Sequence, residues 1–385
     1  MNLNGANWDG GKKMFKIPLL DLKRSWKEIK DEVYQNWEEV FNSMKILNGN
    51  NLLSFEKEWA EYLGIKHAFG CSSGTASLFM ALYACGIGKG DEVLLQSNGF
   101  IADLEVIYWI GASPVLLDVD PKTFGPDLKD LKRKITPKTK ALLLVHMYGH
   151  PAEMDEILEI CNEYGIILIE DASHAHGAEY KGKKIGTFGK VGCFSCGPVK
   201  NLNAIGDAGV IVTNDDELAY KIKYLRVHGQ VEKNHSHFFG LNSRLDELQA
   251  VILRVKLKTL DEKNEIRRNI AKKYHEALSD IKDLELPPLD PDYKKSVYHR
   301  YVIKTPYRDE LAKFLKEKCI GIGYYYPIPL HLHKSYLETY KTFLSFPAAE
   351  KLAKESLAIP LYPELEDKEI DYIINSIKEF FANKN

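Results

Sequence analysis

The sequence has few cysteines and no long apolar run. Six cysteines in 385 residues are too sparse for a disulfide framework, so we expect reduced thiols. No segment approaches the roughly 18 uninterrupted apolar residues of a membrane span. The opening MNLNGANWDGGKKMF has neither the apolar core nor the small-residue cleavage site of a secretory signal. These absences predict a cytoplasmic protein that does not enter a membrane.

Net charge is also nearly absent. The 52 Lys and Arg residues and 54 Asp and Glu residues leave a formal charge of −2, so no general positive field exists to hold a nucleic-acid backbone. The hydrophobic share of 45% and the charged share of 28% are typical of a globular protein. The sequence therefore predicts no nucleic-acid partner, and it argues against a disordered or fibrous chain.

Short apolar runs alternate with helix-length amphipathic stretches through the first two-thirds of the chain. The strand candidates are DEVLLQS, PVLLDVD, ALLLVHMYG, GIILIEDAS, VGCFSC and GVIVTND. This alternation predicts a mostly parallel α/β sheet whose strands are joined by crossover helices.

The pattern changes after Asn242, where residues 243–246 predict a capping box that opens a long helix. A chain of this length also predicts one large core and a smaller lobe. We assign residues 1–25 to an N-terminal arm, 26–258 to the large domain, and 259–385 to a smaller C-terminal α+β domain.

Three segments carry candidate chemistry. GCSSGTAS at residues 70–77 places small residues before a helix, which predicts either a phosphate cradle or an ordinary serine-rich turn. Asp171 ends a predicted parallel strand, where it could hold a protonated ring nitrogen or cap the next helix. Lys200 lies in a Gly/Pro loop between two apolar strands. It could be a nucleophilic amine of lowered pKa or an ordinary surface lysine.

A metal site is the competing interpretation of the same region. Cys193 and Cys196 have the spacing of a redox or zinc motif, and His174 and His176 could place two imidazoles on one face of an extended segment. Neither pair has the further ligands that a complete site requires. We therefore predict no metal.

Several separated blocks, taken together, resemble the DegT/DnrJ family of sugar aminotransferases. They are GCSSGTASL, LIEDASHAHGAEYKGKKIGTFG, FSCGPVKNL, GDAGVIVTND and LNSRLDELQA, and the resemblance covers nearly the whole chain. It implies the aspartate-aminotransferase fold, called fold type I, with a large domain built on a mostly parallel sheet and a smaller C-terminal domain. It also implies a homodimer whose active sites lie at the subunit interface.

The resemblance implies that pyridoxal 5′-phosphate is the cofactor. Lys200 matches the lysine that bonds to the cofactor and then carries the proton during transfer. Asp171 matches the aspartate that keeps the pyridine nitrogen protonated. Phe100, in QSNGFIAD, occupies the place of the aromatic residue that stacks on the ring.

The remaining matched positions concern the phosphate, the ring oxygen and the substrate. Gly74, Thr75 and Ser195 match phosphate-binding positions, and Asn242 matches an asparagine that reaches the phosphate from the partner subunit. The other two matches are His174, beside the 3′-oxygen of the cofactor, and Tyr326, in the substrate cleft.

The chain departs from the family pattern at several positions. Gly99 stands beside Phe100 where Thr is usual, Tyr325 replaces a common His, and Val199 precedes the lysine where Thr is frequent. A His in place of Lys200 would indicate the sugar dehydratase branch, which this chain does not match. Both catalytic matches, Lys200 and Asp171, are intact.

The resemblance favours transfer of an amino group, from L-glutamate as donor, to the ketone of a nucleotide-linked deoxysugar. A second enzymatic interpretation is amination of a ketocyclitol, of a free or phosphorylated keto sugar, or of an aminobenzoate-type precursor. A third is a non-catalytic regulatory or binding protein of the same fold. The sequence leaves open the sugar, the nucleotide, the carbon that is aminated and the stereochemistry.

Overall fold

The computed structural model describes residues 16–384. Most of the predicted N-terminal arm, residues 1–15, lies outside the described residues. The described part of the arm pairs with the C-terminal third of the chain: the Ile17 amide donates to the Cys319 carbonyl at 3.2 Å, and the Gly321 amide donates to the Ile17 carbonyl at 2.8 Å. The first helix begins at Leu22, where the Asp21 side chain caps it by accepting from the Lys23 and Arg24 amides.

The first two-thirds of the chain alternates helices and strands. Its helices are α1 (Leu22–Ser43), α2 (Asn50–Leu63), α3 (Gly74–Ala84), α4 (Ile101–Trp109), α5 (Leu128–Lys134), α6 (Met154–Tyr164), α7 (Asp216–Leu225) and α8 (Glu247–Leu257). Its strands are β1 (His67–Cys71), β2 (Glu92–Gln96), β3 (Ser113–Leu117), β4 (Thr139–Val145), β5 (Ile167–Asp171), β6 (Glu179–Tyr180), β7 (Lys183–Lys184), β8 (Val191–Ser195), β9 (Gly209–Thr213), β10 (Gln230–Glu232) and β11 (His235–Ser236).

The last third is mainly helical. Its helices are α9 (Leu260–Leu278), α10 (Arg308–Glu317), α11 (Lys334–Tyr340), α12 (Pro347–Glu355) and α13 (Asp367–Ala382). Its strands are β12 (Lys294–Lys295), β13 (Tyr301–Lys304) and β14 (Ser356–Ile359). None of the helices between residues 16 and 384 is long and apolar enough to cross a membrane.

Seven strands form the central sheet, in the order β1-β9-β8-β5-β4-β2-β3. The pairs from β8 to β3 are parallel, whereas β9 runs antiparallel to both of its neighbours. The mostly parallel α/β sheet predicted from the sequence is confirmed. The edge strand β1 was not among the predicted strands, since its sequence HAFGC lacks a run of β-branched residues.

The sheet is covered on both faces, which explains why its strands read as continuous apolar runs. In β4, Leu142 and Leu144 pack with α2 and α6 on one face. Ala141, Leu143 and Val145 pack with α3 and α4 on the other, because successive side chains of a strand point to opposite faces. Truncating one of these buried leucines to alanine would cost about 2–5 kcal/mol.

The C-terminal part has its own apolar cluster. Helices α9, α10 and α13 pack against the antiparallel pair β13–β14, with buried residues that include Tyr274, Leu311 and Ile373. The boundary between the two predicted domains, at residues 258 and 259, remains a prediction. The structure places the end of α8 at Leu257 and the start of α9 at Leu260.

The predicted capping box at residues 243–246 is wrong. Helix α8 begins at Glu247, and its N-cap is Asp246, which makes no side-chain cap hydrogen bond. The Ser243 hydroxyl instead accepts from the Ser72 amide at 3.2 Å and lies 2.9 Å from the Ser72 hydroxyl. Because the Ser243 hydroxyl is bonded to the distant Ser72 loop, it does not cap helix α8.

Candidate active site

A cleft of about 550 Å³ opens at the carboxyl ends of the parallel strands, where ligands bind in open α/β sheets. Every predicted site residue except Asn242 lines it. These residues are Gly74, Thr75, Phe100, Asp171, His174, Ser195, Lys200 and Tyr326. Positions that lie more than 250 residues apart in sequence therefore share one cleft.

Lys200 lies in the loop between β8 and β9, where its amide donates to the Gly197 carbonyl at 3.0 Å. Burial lowers the pKa of its amine to about 8; the charge of Asp171 opposes this shift, and the charge of Arg300 adds to it. A lysine with this pKa is partly neutral near pH 7. Its amine can therefore act as a nucleophile or take up a proton.

Asp171 is the last residue of β5 and is 7% exposed. Its Oδ1 accepts from the Ser173 amide at 2.9 Å, and the Ser173 hydroxyl in turn accepts from the Ser195 amide at 2.8 Å. This local bonding fixes the carboxylate at the end of its strand. No helix starts directly after Asp171, so the alternative of a helix cap does not apply.

The small-residue segment opens helix α3, as its sequence predicts. Ser73 is the N-cap, and its hydroxyl accepts from the Ala76 amide at 3.1 Å. A Cβ atom on Gly74 would lie 2.5 Å from the Cβ of Ser195, so only glycine allows this approach. The positive end of the helix and the Ser195 side chain thus meet at a site suited to an anion such as phosphate.

His174 is buried at the floor of the cleft and stacks on His299, with ring centroids 4.4 Å apart. Its Nδ1 accepts from the Tyr148 amide at 3.3 Å, which assigns the ring proton to Nε2. Burial, with further effects from Lys200 and Arg300, holds the pKa of His174 well below its usual value. Near neutral pH, His174 is therefore a neutral hydrogen-bond donor.

Two aromatic residues face each other across the mouth of the cleft. Phe100 precedes α4 and is 50% exposed, and its ring centroid lies 6.0 Å from that of Tyr326. Tyr148 donates its hydroxyl to the Tyr325 carbonyl, which anchors the segment that carries Tyr326. Phe100 and Tyr326 therefore each offer an aromatic face, one to a flat ring bound in the cleft and one to a polar substrate beside it.

Asn242 is the exception among the predicted residues. It is exposed, pairs with Val227 through an isolated β-bridge, and does not line the cleft of its own subunit. Its segment follows the β10–β11 hairpin and Phe239, whose side chain is 91% exposed.

The prediction overlooked Asp103, in the first turn of α4. Its side chain is 1% exposed and lines the cleft, and neither carboxyl oxygen has a hydrogen-bond partner among residues 16–384. Burial and the adjacent charge of Asp171 raise the pKa of Asp103 well above its usual range, although the charge of Lys200 and the Phe100 amide act in the opposite direction. Burial and the charge of Asp171 thus favour the protonated form of Asp103. In the sequence, the indication of its burial was its position between two apolar residues, Ala102 and Leu104.

The prediction also overlooked His299 and Arg300, which immediately precede β13. Both are buried and line the cleft, and His299 Nδ1 lies 3.2 Å from the Asn201 amide oxygen. A His-Arg pair at the start of an apolar strand was the signal in the sequence. Only the packing of the C-terminal part against the sheet brings this pair to Lys200.

The cysteines and histidines of the metal alternative do not form a set of ligands among the described residues. Cys196 Sγ lies 3.8 Å from His176 Nε2, and burial raises the pKa values of the Cys193 and Cys196 thiols. His174 contacts the Tyr148 amide. Within residues 16–384, no group of three or more His, Cys, Asp or Glu side chains is arranged to hold a metal ion.

Comparisons with known proteins give one consistent family. The family model for the DegT/DnrJ/EryC1/StrS aminotransferases matches residues 27–378. A pleiotropic regulatory protein of Geobacillus stearothermophilus is 42% identical over 368 residues, which cover 95% of this chain and 99% of the relative.

A second relative and a solved crystal structure match over nearly the same length. The UDP-N-acetyl-3-dehydro-α-D-glucosamine 3-aminotransferase of Acidithiobacillus ferrooxidans is 39% identical over 362 residues, covering 94% of this chain and 97% of the relative. The crystal structure of DesV from S. venezuelae superposes with a TM-score of 0.92 at 38% identity, over 95% of this chain and 98% of DesV.

Proposed function

Because the chain belongs to the DegT/DnrJ/EryC1/StrS aminotransferase family, whose enzymes use pyridoxal 5′-phosphate, we propose that it transfers an amino group from L-glutamate to a nucleotide-linked keto-deoxysugar. The observation that carries the proposal is the shared cleft of Lys200 and Asp171, in which the lysine pKa is lowered to about 8. The relative named for a UDP-linked 3-dehydro sugar supports this choice of acceptor.

The residues of the cleft fit the cofactor. The approach of Gly74 to Ser195, which a Cβ atom would fill, lies at a helix N-terminus and suits the phosphate. Phe100 offers a half-exposed aromatic face for the ring, and Asp171 offers a carboxylate for the ring nitrogen. When bound, pyridoxal phosphate supplies an electron-poor ring that stabilises negative charge on the substrate carbon.

The residues of the chain then have separate roles. Lys200 Nζ would hold the cofactor, and its amine is the group that would take the proton from the α-carbon of the donor. The Asp171 carboxylate would keep a proton on the ring nitrogen, because the paired charges favour the protonated form. The Nε2–H of His174 can donate to the ring oxygen. Tyr326 and Phe100 border the space in which the sugar would lie.

The first test is the absorbance of the cofactor-loaded protein before and after L-glutamate is added without a sugar. We expect the spectrum to change from the lysine-bound form of the cofactor to its amine form. A panel of UDP- and dTDP-linked keto sugars should then restore the starting spectrum. Lys200→Ala is the control that should show no change. A wild-type spectrum that ignores L-glutamate would contradict the donor assignment.

We further propose a homodimer in which Asn242 of each subunit reaches the phosphate in the cleft of the other. Two features support this arrangement: Asn242 is exposed and lies outside the cleft of its own subunit, and the neighbouring Phe239 is 91% exposed. Aromatic side chains are enriched at protein interfaces, so Phe239 is a candidate contact between the subunits.

Mixed dimers test the shared site. Lys200→Ala and Asn242→Asp subunits, each inactive alone, should regain activity when they are unfolded and refolded together, because one cleft of the mixed dimer receives both wild-type residues. The matched control pairs Lys200→Ala with Asp171→Asn, whose lesions lie in the cleft of their own subunit and should not complement. Mixed dimers of the first pair that stay inactive would refute the exchange of Asn242.

We also propose that the protein is cytoplasmic. All six cysteines are free thiols, which is the form that a reducing compartment maintains. Cell fractionation with an antibody to the protein would test this location.

A further inference from the structure

Asp103 is a buried acid whose position in its helix does not explain its burial. It lies in the first turn of α4, and its side chain lines the cleft. An aspartate in the first turn of a helix normally stays ionised and accepts from the free amides there. Neither carboxyl oxygen of Asp103 has a hydrogen-bond partner among residues 16–384. The carboxyl therefore does not cap α4.

Asp130 shows how the same chain stabilises a buried aspartate in the first turn of another helix, α5. Its carboxylate accepts from the Asp118 amide at 2.8 Å and pairs with Arg133 and Lys134. Burial acts to raise the pKa of Asp130, but these partners together lower it. Asp103 has no such partners within the described part of the chain, and burial raises its pKa well above the usual range of an aspartate. A buried acid without a paired cation is more stable in its protonated form.

The group that can accept the Asp103 proton is Asp171. After burial, the charge of Asp171 and a hydrogen bond between the two side chains favour the protonated form of Asp103, and the charge of Lys200 opposes it without reversing it. Two ionised carboxylates would repel each other and have no proton to share, whereas one proton between them lets one acid donate to the other. Asp171 Oδ1 already accepts from the Ser173 amide at 2.9 Å, which favours the ionised form of Asp171. Asp103 is therefore the donor of the pair.

We propose that Asp103 and Asp171 share one proton, and that the Asp103 hydroxyl donates to the Asp171 carboxylate and keeps it ionised for the ring nitrogen of pyridoxal phosphate. This inference rests on the role of Asp171 in the proposed function. Because a hydrogen bond donated to a carboxylate favours its charged form, a second proton would stay on the ring nitrogen and would not move to Asp171. Asp103 is then a positioning residue that acts through Asp171.

The test compares Asp103→Asn, whose amide keeps an N–H donor, with Asp103→Leu, which has none. Leu104→Ala changes the adjacent residue of α4, which is buried outside the cleft, and is the matched control for a disturbance of the helix. All proteins are loaded with pyridoxal phosphate that carries the heavy nitrogen isotope in its ring. Nitrogen NMR then reports whether the ring nitrogen is protonated, and infrared spectroscopy reports whether a carboxyl group is protonated near neutral pH.

We expect the infrared band of a protonated carboxyl group in wild type and its loss in Asp103→Asn. The ring nitrogen should be protonated in wild type, Asp103→Asn and Leu104→Ala, and its signal should shift toward the neutral form in Asp103→Leu. The absorbance change with L-glutamate should slow by roughly ten- to a hundredfold in Asp103→Leu, the equivalent of one hydrogen bond to a charged group, and by much less in Asp103→Asn. If Asp103→Leu does not fold or load, the infrared comparison of wild type with Asp103→Asn still decides whether the pair holds a proton.

Three results would overturn the shared proton and leave the proposed function intact. One is an infrared spectrum that is the same in wild type and Asp103→Asn, since both acids would then be ionised. Another is an Asp103→Leu protein with the ring-nitrogen signal and reaction rate of wild type. The third is an Asp103→Leu protein that needs more L-glutamate but keeps the wild-type ring signal, because Asp103 would then contact the substrate itself. A neutral ring nitrogen in wild type, or no response of wild type to L-glutamate, would instead refute the proposed function.

Discussion

Gly99 leaves room for Asp103: a Cβ atom at position 99 would lie 3.3 Å from Asp103 Oδ2. The sequence marks Gly99 as a departure, since Thr is usual beside the stacking aromatic residue. The structure gives a physical reason, because any larger side chain at 99 would press on the buried carboxyl of Asp103. The two positions thus form one local feature at the floor of the cleft.

The protonation of Asp103 predicts a pH dependence of stability. Its pKa is raised by burial and by Asp171, so the native state retains a proton that the unfolded state releases above about pH 3.9. The stability of the wild-type apoprotein, relative to Asp103→Asn, should therefore fall as pH rises above this value, by up to about 1.4 kcal/mol per pH unit, until the native pKa is passed.

Urea unfolding of both proteins from about pH 4 to about pH 8 would measure this difference. Asp103→Asn retains an N–H donor toward Asp171, whereas Asp103→Leu does not. Activity close to wild type in the first variant, with a loss in the second, would support a donor role for the neutral acid. A stability difference that does not change with pH would show that Asp103 is ionised in the native state.

Lys200 should be the lysine that bonds to the cofactor. The chain offers an internal control, because burial also lowers the pKa of Lys256 to about 8, and that amine donates to the Asn203 side chain at 2.8 Å outside the cleft. Borohydride reduction makes the bond between lysine and pyridoxal phosphate permanent. We expect peptide mapping to find the label on Lys200 alone, and a label on Lys256 would show that lowered pKa alone selects the lysine.

Asp171→Asn should slow turnover by roughly 10²- to 10³-fold, since a neutral amide no longer stabilises a protonated ring nitrogen. Single-turnover kinetics with L-glutamate would measure the loss. Pyridoxal phosphate methylated at the ring nitrogen carries a fixed positive charge and should recover part of the rate in this variant. A variant that reacts at the wild-type rate with the ordinary cofactor would remove Asp171 from this role.

Gly74→Ala should weaken cofactor binding and destabilise the protein by about 1–3 kcal/mol, because the new Cβ would lie 2.5 Å from the Ser195 Cβ and 2.9 Å from its Cα. Gly88→Ala is the matched control, since its Cβ would meet only the Ile110 carbonyl oxygen, at 3.7 Å. Titration with pyridoxal phosphate and thermal unfolding test both variants. Equal cofactor affinity in the two would argue against a close-packed cradle.

Much of the site follows from local sequence. The apolar runs predict the strands, the end of GIILIE predicts where Asp171 lies, and the Gly/Pro segment predicts a loop that carries Lys200. The capping box at residues 243–246 failed because the Ser243 hydroxyl bonds to Ser72, a residue that no local pattern connects to it. Asp103 and Arg300 were overlooked for the same reason: their importance lies in what surrounds them.

Six of the seven strands of the sheet, and the presence of the catalytic residue types, follow from the sequence alone, because hydrophobic periodicity and strand ends are local properties. Which charges are buried together depends on how the chain packs in three dimensions. Arg300 reaches the cleft because β13 packs against β14 and the C-terminal helices, and Asp103, in α4, lines the same cleft as Asp171, at the end of β5. Desolvation and charge pairing depend on distances between remote segments, and these distances exist only once the chain has folded.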